Sequence, residues 1–382
     1  MKKSPPLPPM ARPLLLLFTA AWLLACQAVT ALFSPTPTPA VALPTGPQAT
    51  ATLWLDAPAI PTAAPPLAEN ASSRAQPLAP GTPIVLPHWQ VTVLEMVRGT
   101  EASDRTAAAN MFNDPPPEGF EYVLLRLSVS KSPLAGANDY LFLGLTGSAM
   151  RLHFAFEVAQ VAPEPMLSNA SDMIAGTTAE GWELFLAVAD ERNLMLAAEE
   201  SGDGESITHF VALEENAGVD VPAALADIQR NRIGTQATEP ARFDQTIVDE
   251  SWELLLLEMH GGEEAWQRIF AANRYNDPPP PGRQYVLLYA RVRYIGNDEA
   301  SQDLNGWDFR ILDSQGQEWR TPAVVEPEPA LSDFRLFAGG AKEGWFVLEA
   351  PAKDTHLLLQ FLPPGDYAHA RTRYISLQRQ GR

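Results

Sequence analysis

Ala108-Ala109-Asn110-Met111-Phe112-Asn113-Asp114-Pro115-Pro116-Pro117 returns 163 positions later as Ala271-Ala272-Asn273-Arg274-Tyr275-Asn276-Asp277-Pro278-Pro279-Pro280. Around this string, Trp89 to Val129 aligns without a gap on Trp252 to Val292, with 22 of 41 positions identical. Tyr122-Val123-Leu124-Leu125 matches Tyr285-Val286-Leu287-Leu288. Further on, Glu164-Pro165 matches Glu328-Pro329, and Gly181-Trp182 matches Gly344-Trp345. A period this long is that of tandem domains, because solenoid repeats run about 20–50 residues. Each copy is therefore expected to fold alone.

Each copy reads as strands. In the second, Trp252–Met259, Gln284–Tyr294, Trp307–Asp313, Glu318–Arg320, Gly344–Leu348, His356–Phe361 and Arg373–Leu377 are short apolar or alternating runs. Turn signals such as Ser314-Gln315-Gly316-Gln317 separate them. Strict alternation places Trp307, Phe309 and Ile311 on one face. About seven such strands predict a two-sheet sandwich. One helix is expected over 264–273, with Trp266, Ile269, Phe270 and Asn273 on one face. A more polar version runs through Ala102–Ala107. The triple proline ends both helices, since a residue before proline is pushed out of the α region.

The repeated Ala-x-Asn-x-x-Asn-Asp-Pro-Pro-Pro-x-Gly-x-x-Tyr-Val-Leu-Leu, with the later Glu-Pro and Gly-Trp, resembles a family of bacterial immunoglobulin-like domains. These occur on secreted proteins and lipoproteins and are related to a mycobacterial immunoprotective extracellular protein. The resemblance spans both copies and implies an immunoglobulin-like sandwich; it implies no catalytic residues. The first copy departs from the pattern at Gly147-Ser148-Ala149-Met150, where the second has its Ser314–Gln317 turn.

The N-terminus reads Met1-Lys2-Lys3, then Arg12, then an apolar run from Leu14 to Ala25 ending at Cys26, the only cysteine. That is a charged region followed by an apolar stretch of signal-peptide length. Leu23-Leu24-Ala25-Cys26 resembles the lipobox of bacterial lipoproteins, which implies cleavage before Cys26 and a lipid on its sulfur. An ordinary secretory signal and a retained anchor are the alternatives. Residues 27–80 hold 11 prolines and three charged residues, so they are expected to form an extended, disordered stalk. The expected organisation is a signal peptide over 1–25, a lipidated Cys26 with a Pro/Thr-rich linker over 26–73, domains over 74–216 and 237–382, and a short helical linker over 217–236. In that linker Val221, Leu225 and Ile228 share a face suited to docking on a neighbouring domain. The fold class is thus all-β, two tandem immunoglobulin-like sandwiches, each with a short helix, after a Pro-rich stalk.

A net charge of −19 argues against nucleic acid, which needs a basic surface. One cysteine excludes an internal disulfide framework. No nucleophile elbow, phosphate loop or dinucleotide fingerprint is present. The six histidines occupy no equivalent positions in the two copies, and no metal or other cofactor is expected. An oxygen-rich loop, Asp298-Glu299, Asp303, Asn305-Gly306 and Asp308, has calcium-like composition without an EF-hand's spacing. The candidate recognition residues are Asn110, Asn113, Asp114, Asn273, Asn276 and Asp277. In the structural reading they satisfy backbone groups where each helix ends. In the functional reading they form a rigid exposed loop.

The function expected is therefore non-catalytic: an extracytoplasmic, lipid-anchored protein of the cell membrane that binds an envelope or surface protein or serves as a spacer. The alternative is an accessory or solute-binding lipoprotein that recognises a small molecule, metal ion or glycan.

Overall fold

The computed structural model describes residues 69–378, except 168, 203–205, 298, 332–333 and 367–368. The expected signal peptide, Cys26 and most of the expected stalk lie outside the described residues.

The first copy contributes β1 (Ile84–Val85), β2 (Trp89–Arg98), β3 (Phe120–Lys131), β4 (Tyr140–Thr146), β5 (Arg151–Phe154), β6 (Thr178–Val188), β7 (Met195–Ser201) and β8 (Ile207–Ala212). The second contributes β9 (Ile247–Val248), β10 (Trp252–Gly261), β11 (Arg283–Tyr294), β12 (Gln302–Leu304), β13 (Phe309–Leu312), β14 (Glu318–Trp319), β15 (Phe334–Leu336), β16 (Ala341–Pro351), β17 (Leu358–Phe361) and β18 (Arg373–Ser376). Helices α1 (Gly99–Ala109) and α2 (Gly262–Ala272) follow β2 and β10. The protein is all-β, and the ladders between these strands are antiparallel.

Equivalent sheets, β1-β2-β3-β6 and β9-β10-β11-β16, form one layer of each sandwich. Their central strands are buried on both faces, which is why Tyr122-Val123-Leu124-Leu125 reads as a continuous apolar run. One face carries the sandwich core: Trp89, Val123, Leu125 and Phe185 in the first copy, and Trp252, Leu288 and Phe346 in the second. The other face carries the helix. Ala102 of α1 packs on Tyr122, Leu124 and Leu184, and Ala265 and Ile269 of α2 pack on Tyr285, Leu287 and Val347. The buried stripe of α2 is therefore centred on Ala265 and Ile269, and Phe270 is 44% exposed. Ile269 is buried as expected and Trp266 partly so, but Ala265 takes the place of Phe270 in the stripe; the helix begins at Gly262. There φ is +58°, and the equivalent Gly99 has +66°, a turn that glycine adopts without strain.

The second layers differ. In the second copy it is β14-β13-β17-β18. Phe309 and Ile311 of β13 are buried as expected, but Trp307 is 67% exposed. It sits in a 3₁₀ turn over Gly306–Asp308, where Asn305 Oδ1 accepts its backbone N–H. In the first copy, β5-β4-β7-β8 continues across the boundary into β15 and β12, giving one six-stranded sheet. Arg335 pairs with Leu152 and Leu336 with Arg151. The copies thus share a sheet, and a separate apolar cluster lies at the seam: Leu152, Phe154, Met195, Ala197, Phe210, Val219 and Phe337.

The segment between the copies is a 3₁₀ turn over Ala223–Asp227. Leu225 is buried in the second copy's core and Ile228 packs against it, while Val221 is exposed. The residues leading into the first copy touch β8 at two points. Leu78 forms a parallel bridge with Val211, and Ser72 Oγ accepts the Phe210 N–H at 2.7 Å.

Candidate recognition loops and the seam between the copies

The Asn-x-x-Asn-Asp-Pro-Pro-Pro loops have the same construction in both copies. Asn110 Oδ1 accepts the Phe112 N–H, and Asn273 Oδ1 accepts the Tyr275 N–H, each at 3.0 Å. The amide of Asn276 donates to Ile269 O and Val325 O, each at 2.9 Å, and its oxygen accepts the Val325 N–H at 2.8 Å. Asn113 repeats this with Thr106 O, Val161 O and the Val161 N–H at 2.7, 2.8 and 2.9 Å. Each second asparagine therefore staples a helix end to the segment that leads to Glu164-Pro165 or Glu328-Pro329. Tyr122 Oη donates to Asp114 O and Tyr285 Oη to Asp277 O, which closes the loop. The carboxylates of Asp114 and Asp277 belong to exposed residues.

The side chains these loops present are the two variable ones between the asparagines. Met111 and Phe112 are 85% and 81% exposed, and Tyr275 is 78% exposed with the Arg274 guanidinium over its ring. Sequence reasoning singled out the repeated residues and passed over these. The available signal was an apolar pair, Met111-Phe112, at the tip of a proline-stiffened loop. Asn276→Ala is expected to cost about 2–3 kcal/mol, because three hydrogen bonds vanish and two carbonyls lose their donor at a buried site. A urea melt checks it; a change under about 0.5 kcal/mol would contradict the staple.

The Glu-Pro and Gly-Trp motifs touch each other. Trp182 N–H donates to Pro165 O, and Leu167 N–H to Trp182 O, at 2.8 and 2.9 Å. Trp345, Pro329 and Leu331 repeat both bonds at 2.7 Å. The loop backbone passes directly over Gly181 and Gly344. A Cβ there would meet backbone atoms at 2.3 Å and 2.6 Å respectively.

The calcium-like loop does not converge on a centre. Asp303 pairs with Arg335, while Asn305 and Asp308 cap the 3₁₀ turn. Asp298 lies outside the described residues.

The seam is rich in buried ionisable groups. The Arg74 guanidinium donates to Gly147 O at 2.8 Å and lies 4.2 Å from the Phe337 ring centre. Burial lowers its pKa to about 10. Arg151 donates to Ala341 O through Nε and a terminal nitrogen at 3.0 and 2.7 Å. His153 Nε2 is out of solvent without a partner, and burial, reinforced by Arg151 and Lys342, lowers the ring to about 4. Burial also lowers Lys342 to about 8 and raises Glu191. The Gly147–Met150 turn, where the first copy departs from the repeat, forms part of this seam. Phe337 N–H donates to Met150 O at 2.9 Å. Beside it a cavity of about 590 Å³ is lined by Ser72, Ser206, Thr208, Gln302, Asp303 and Arg335, among others.

A third grouping lies at the turn before β2. His88 Nδ1 is 2.6 Å from Glu200 Oε1 and 3.5 Å from Asp139 Oδ2.

No established family matches the sequence, so the likeness to domains of the mycobacterial immunoprotective protein stays a resemblance of motifs. No curated protein matches it either. Among solved structures, the chain is similar to YcdA of Bacillus subtilis, described as a candidate lipoprotein. The TM-score is 0.28 and the identity 10%, over 37% of this chain and 40% of that one. YjhA of Bacillus subtilis gives a TM-score of 0.27 at 13% identity, covering 36% of this chain and 99% of that chain. An uncharacterised β-sandwich protein of Clostridium difficile 630 gives 0.23 at 12% identity, covering 40% and 99%. Likenesses of this size carry no statement about activity. Among the described residues no helix is long and apolar enough to cross a membrane.

Proposed function

We propose that the protein is a non-catalytic binding module, held outside the cytoplasm by a lipid on Cys26, whose partner is another protein of the cell envelope. The observation that carries this reading is the pair of recognition loops. Each is locked by its own asparagines and prolines and presents large side chains, Met111-Phe112 and Arg274-Tyr275, to solvent. Exposed aromatic and arginine side chains on a rigid support bind at little entropic cost. The acidic balance of the chain favours a partner with a basic surface.

In-cell crosslinking of the full-length chain is expected to capture one envelope protein reproducibly. Phe112→Ala combined with Tyr275→Ala is expected to reduce the capture at least tenfold at unchanged protein level. Capture that persists undiminished in the double variant would remove the loops from the interface. Cys26→Ala is expected to release the protein from membranes, and retention would sink the lipid anchor separately.

The polar cavity at the seam supports a second reading, recognition of a hydroxyl-rich solute. A thermal shift with a panel of sugars, absent in an Arg335→Ala variant, would favour it over the first.

A further inference from the structure

We propose that His88, Asp139 and Glu200 form a binding site for one divalent transition-metal cation, with zinc as the reference ion. One donor atom from each residue lies within 4.8 Å of the other two. Three donors bound to zinc at about 2.0–2.2 Å stand about 3.3 Å apart in a tetrahedral arrangement. The 3.5 Å separation of His88 Nδ1 and Asp139 Oδ2 matches that spacing, and the 2.6 Å contact with Glu200 Oε1 opens by less than an ångström to reach it.

The fold brings these three together from distant segments. His88 sits in the turn between β1 and β2, where Ser132 N–H donates to its carbonyl. Asp139 immediately precedes β4, and Glu200 lies on β7 opposite Leu141. Each carboxylate is oriented by a backbone donor: His88 N–H to Glu200 Oε2 at 3.0 Å, and Gly136 N–H to Asp139 Oδ2. Ligands held by such outer contacts are a recurring property of metal sites. Gly202 closes the far side, since a Cβ there would stand 2.9 Å from Asp139 Oδ1. The imidazole side chain is 33% exposed, against 19% for Asp139 and 8% for Glu200. The open side therefore leaves room for a water to complete the coordination.

Charge balance points the same way. Among the described residues, neither carboxylate is ion-paired with a lysine or arginine, and the imidazole is the sole basic group facing both. Two carboxylates and one imidazole nitrogen are a donor set that suits a divalent cation. A borderline ion that accepts both nitrogen and oxygen fits this set better than calcium, which takes six to eight oxygens.

The second copy shows that the turn itself does not need the cluster. Ser251 occupies the position of His88, and Asp249 Oδ1 alone accepts the N–H groups of Ser251 and Trp252 at 2.7 and 2.6 Å. One carboxylate suffices to close the turn. The imidazole and the second carboxylate in the first copy exceed that requirement.

The test uses the full chain carrying Cys26→Ala, which removes the thiol as a competing ligand. Titration with Zn²⁺ by calorimetry is expected to give one ion per chain, and Co²⁺ a visible absorption typical of mixed nitrogen and oxygen ligands. His88→Gln and Glu200→Gln are each expected to weaken binding at least tenfold. Gly202→Ala, which changes no ligand, is expected to weaken it several-fold, and His356→Gln to leave it unchanged. Absence of one-to-one binding in the unsubstituted site overturns the proposal whatever the variants do. Equal affinity in His88→Gln and Glu200→Gln, with folding confirmed by circular dichroism, overturns it too, as does a preference for Ca²⁺ over Zn²⁺.

Discussion

Gly344→Ala is expected to destabilise the protein by about 4 kcal/mol, and Gly181→Ala by a similar amount. Propensity alone gives the opposite sign. Glycine to alanine at a permissive strand position reduces the freedom of the unfolded chain and stabilises by about 0.4–1 kcal/mol. Here the new methyl would stand 2.6 Å from Ala330 C and Leu331 N, and at Gly181 2.3 Å from Leu167 N. The obstacle is backbone on both sides, so no rotamer change relieves it. Overpacking of this kind costs roughly 1–3 kcal/mol. The crossing loop must also lift, which breaks the two hydrogen bonds of Trp345 with Pro329 and Leu331 at about 1 kcal/mol each. Leu331, 2% exposed, would be drawn from the second core with it. With unfolding entropies near 2 cal/mol/K per residue, the shift in Tm is roughly 6 °C. Calorimetry of each variant checks this. A loss below about 1 kcal/mol in both would mean that the loop does not press on the glycine.

Dividing the chain after Asp220 is expected to produce two halves that each melt well below the intact protein, which itself unfolds in one transition. The repeat period leads one to expect halves that fold alone; the shared sheet adds that each is less stable when parted. Separation opens the β5 edge of the first copy and detaches β15, which pairs with it. It also exposes Phe210 and Leu152 on one side and Phe337 on the other. A fully buried side chain of this size contributes about 1.5–3 kcal/mol, so the two halves together lose at least about 4 kcal/mol. Arg74 and Arg151 lose their contacts with Phe337 and Ala341 at the same time. Two independent transitions in the intact chain, or halves that melt at its temperature, would show that the seam contributes little.

Much of the sandwich was legible because duplication writes the same strands twice. Tyr122–Leu125 and Tyr285–Leu288 reveal central strands, and β10, β11, β13, β16, β17 and β18 fall where apolar runs predict them. Three short strands, β9, β12 and β15, escaped notice, since two or three residues cannot show a period. Trp307 misled because alternation continues one step beyond the strand, into a turn that the Asn305 side chain caps. The shared sheet was hidden for a different reason: pairing of Arg335 with Leu152 joins residues far apart in sequence. Its trace was present as the departure at Gly147–Met150, where the repeat breaks because that turn meets the second copy. The His88, Asp139 and Glu200 grouping had no local spacing at all. Strand register alone assembles it, as Leu141 opposite Glu200 places the residue two before it near the same end of the sheet.

The way residues 72–78 enter the fold has a mechanical consequence. Leu78 lies parallel to β8, bonded through Leu78 N–H to Phe210 O and Ala212 N–H to Leu78 O, each at 2.9 Å. Four residues earlier, Arg74 O accepts the Val219 N–H and its guanidinium rests on Phe337 of the second copy. A pull arriving from the N-terminal side meets the Ser72, Arg74 and Leu78 contacts before it reaches β1. These contacts reach both sandwiches, since Arg74 touches Val219 and Phe337, so tension applied at residue 72 would stress both copies before either could be drawn out alone.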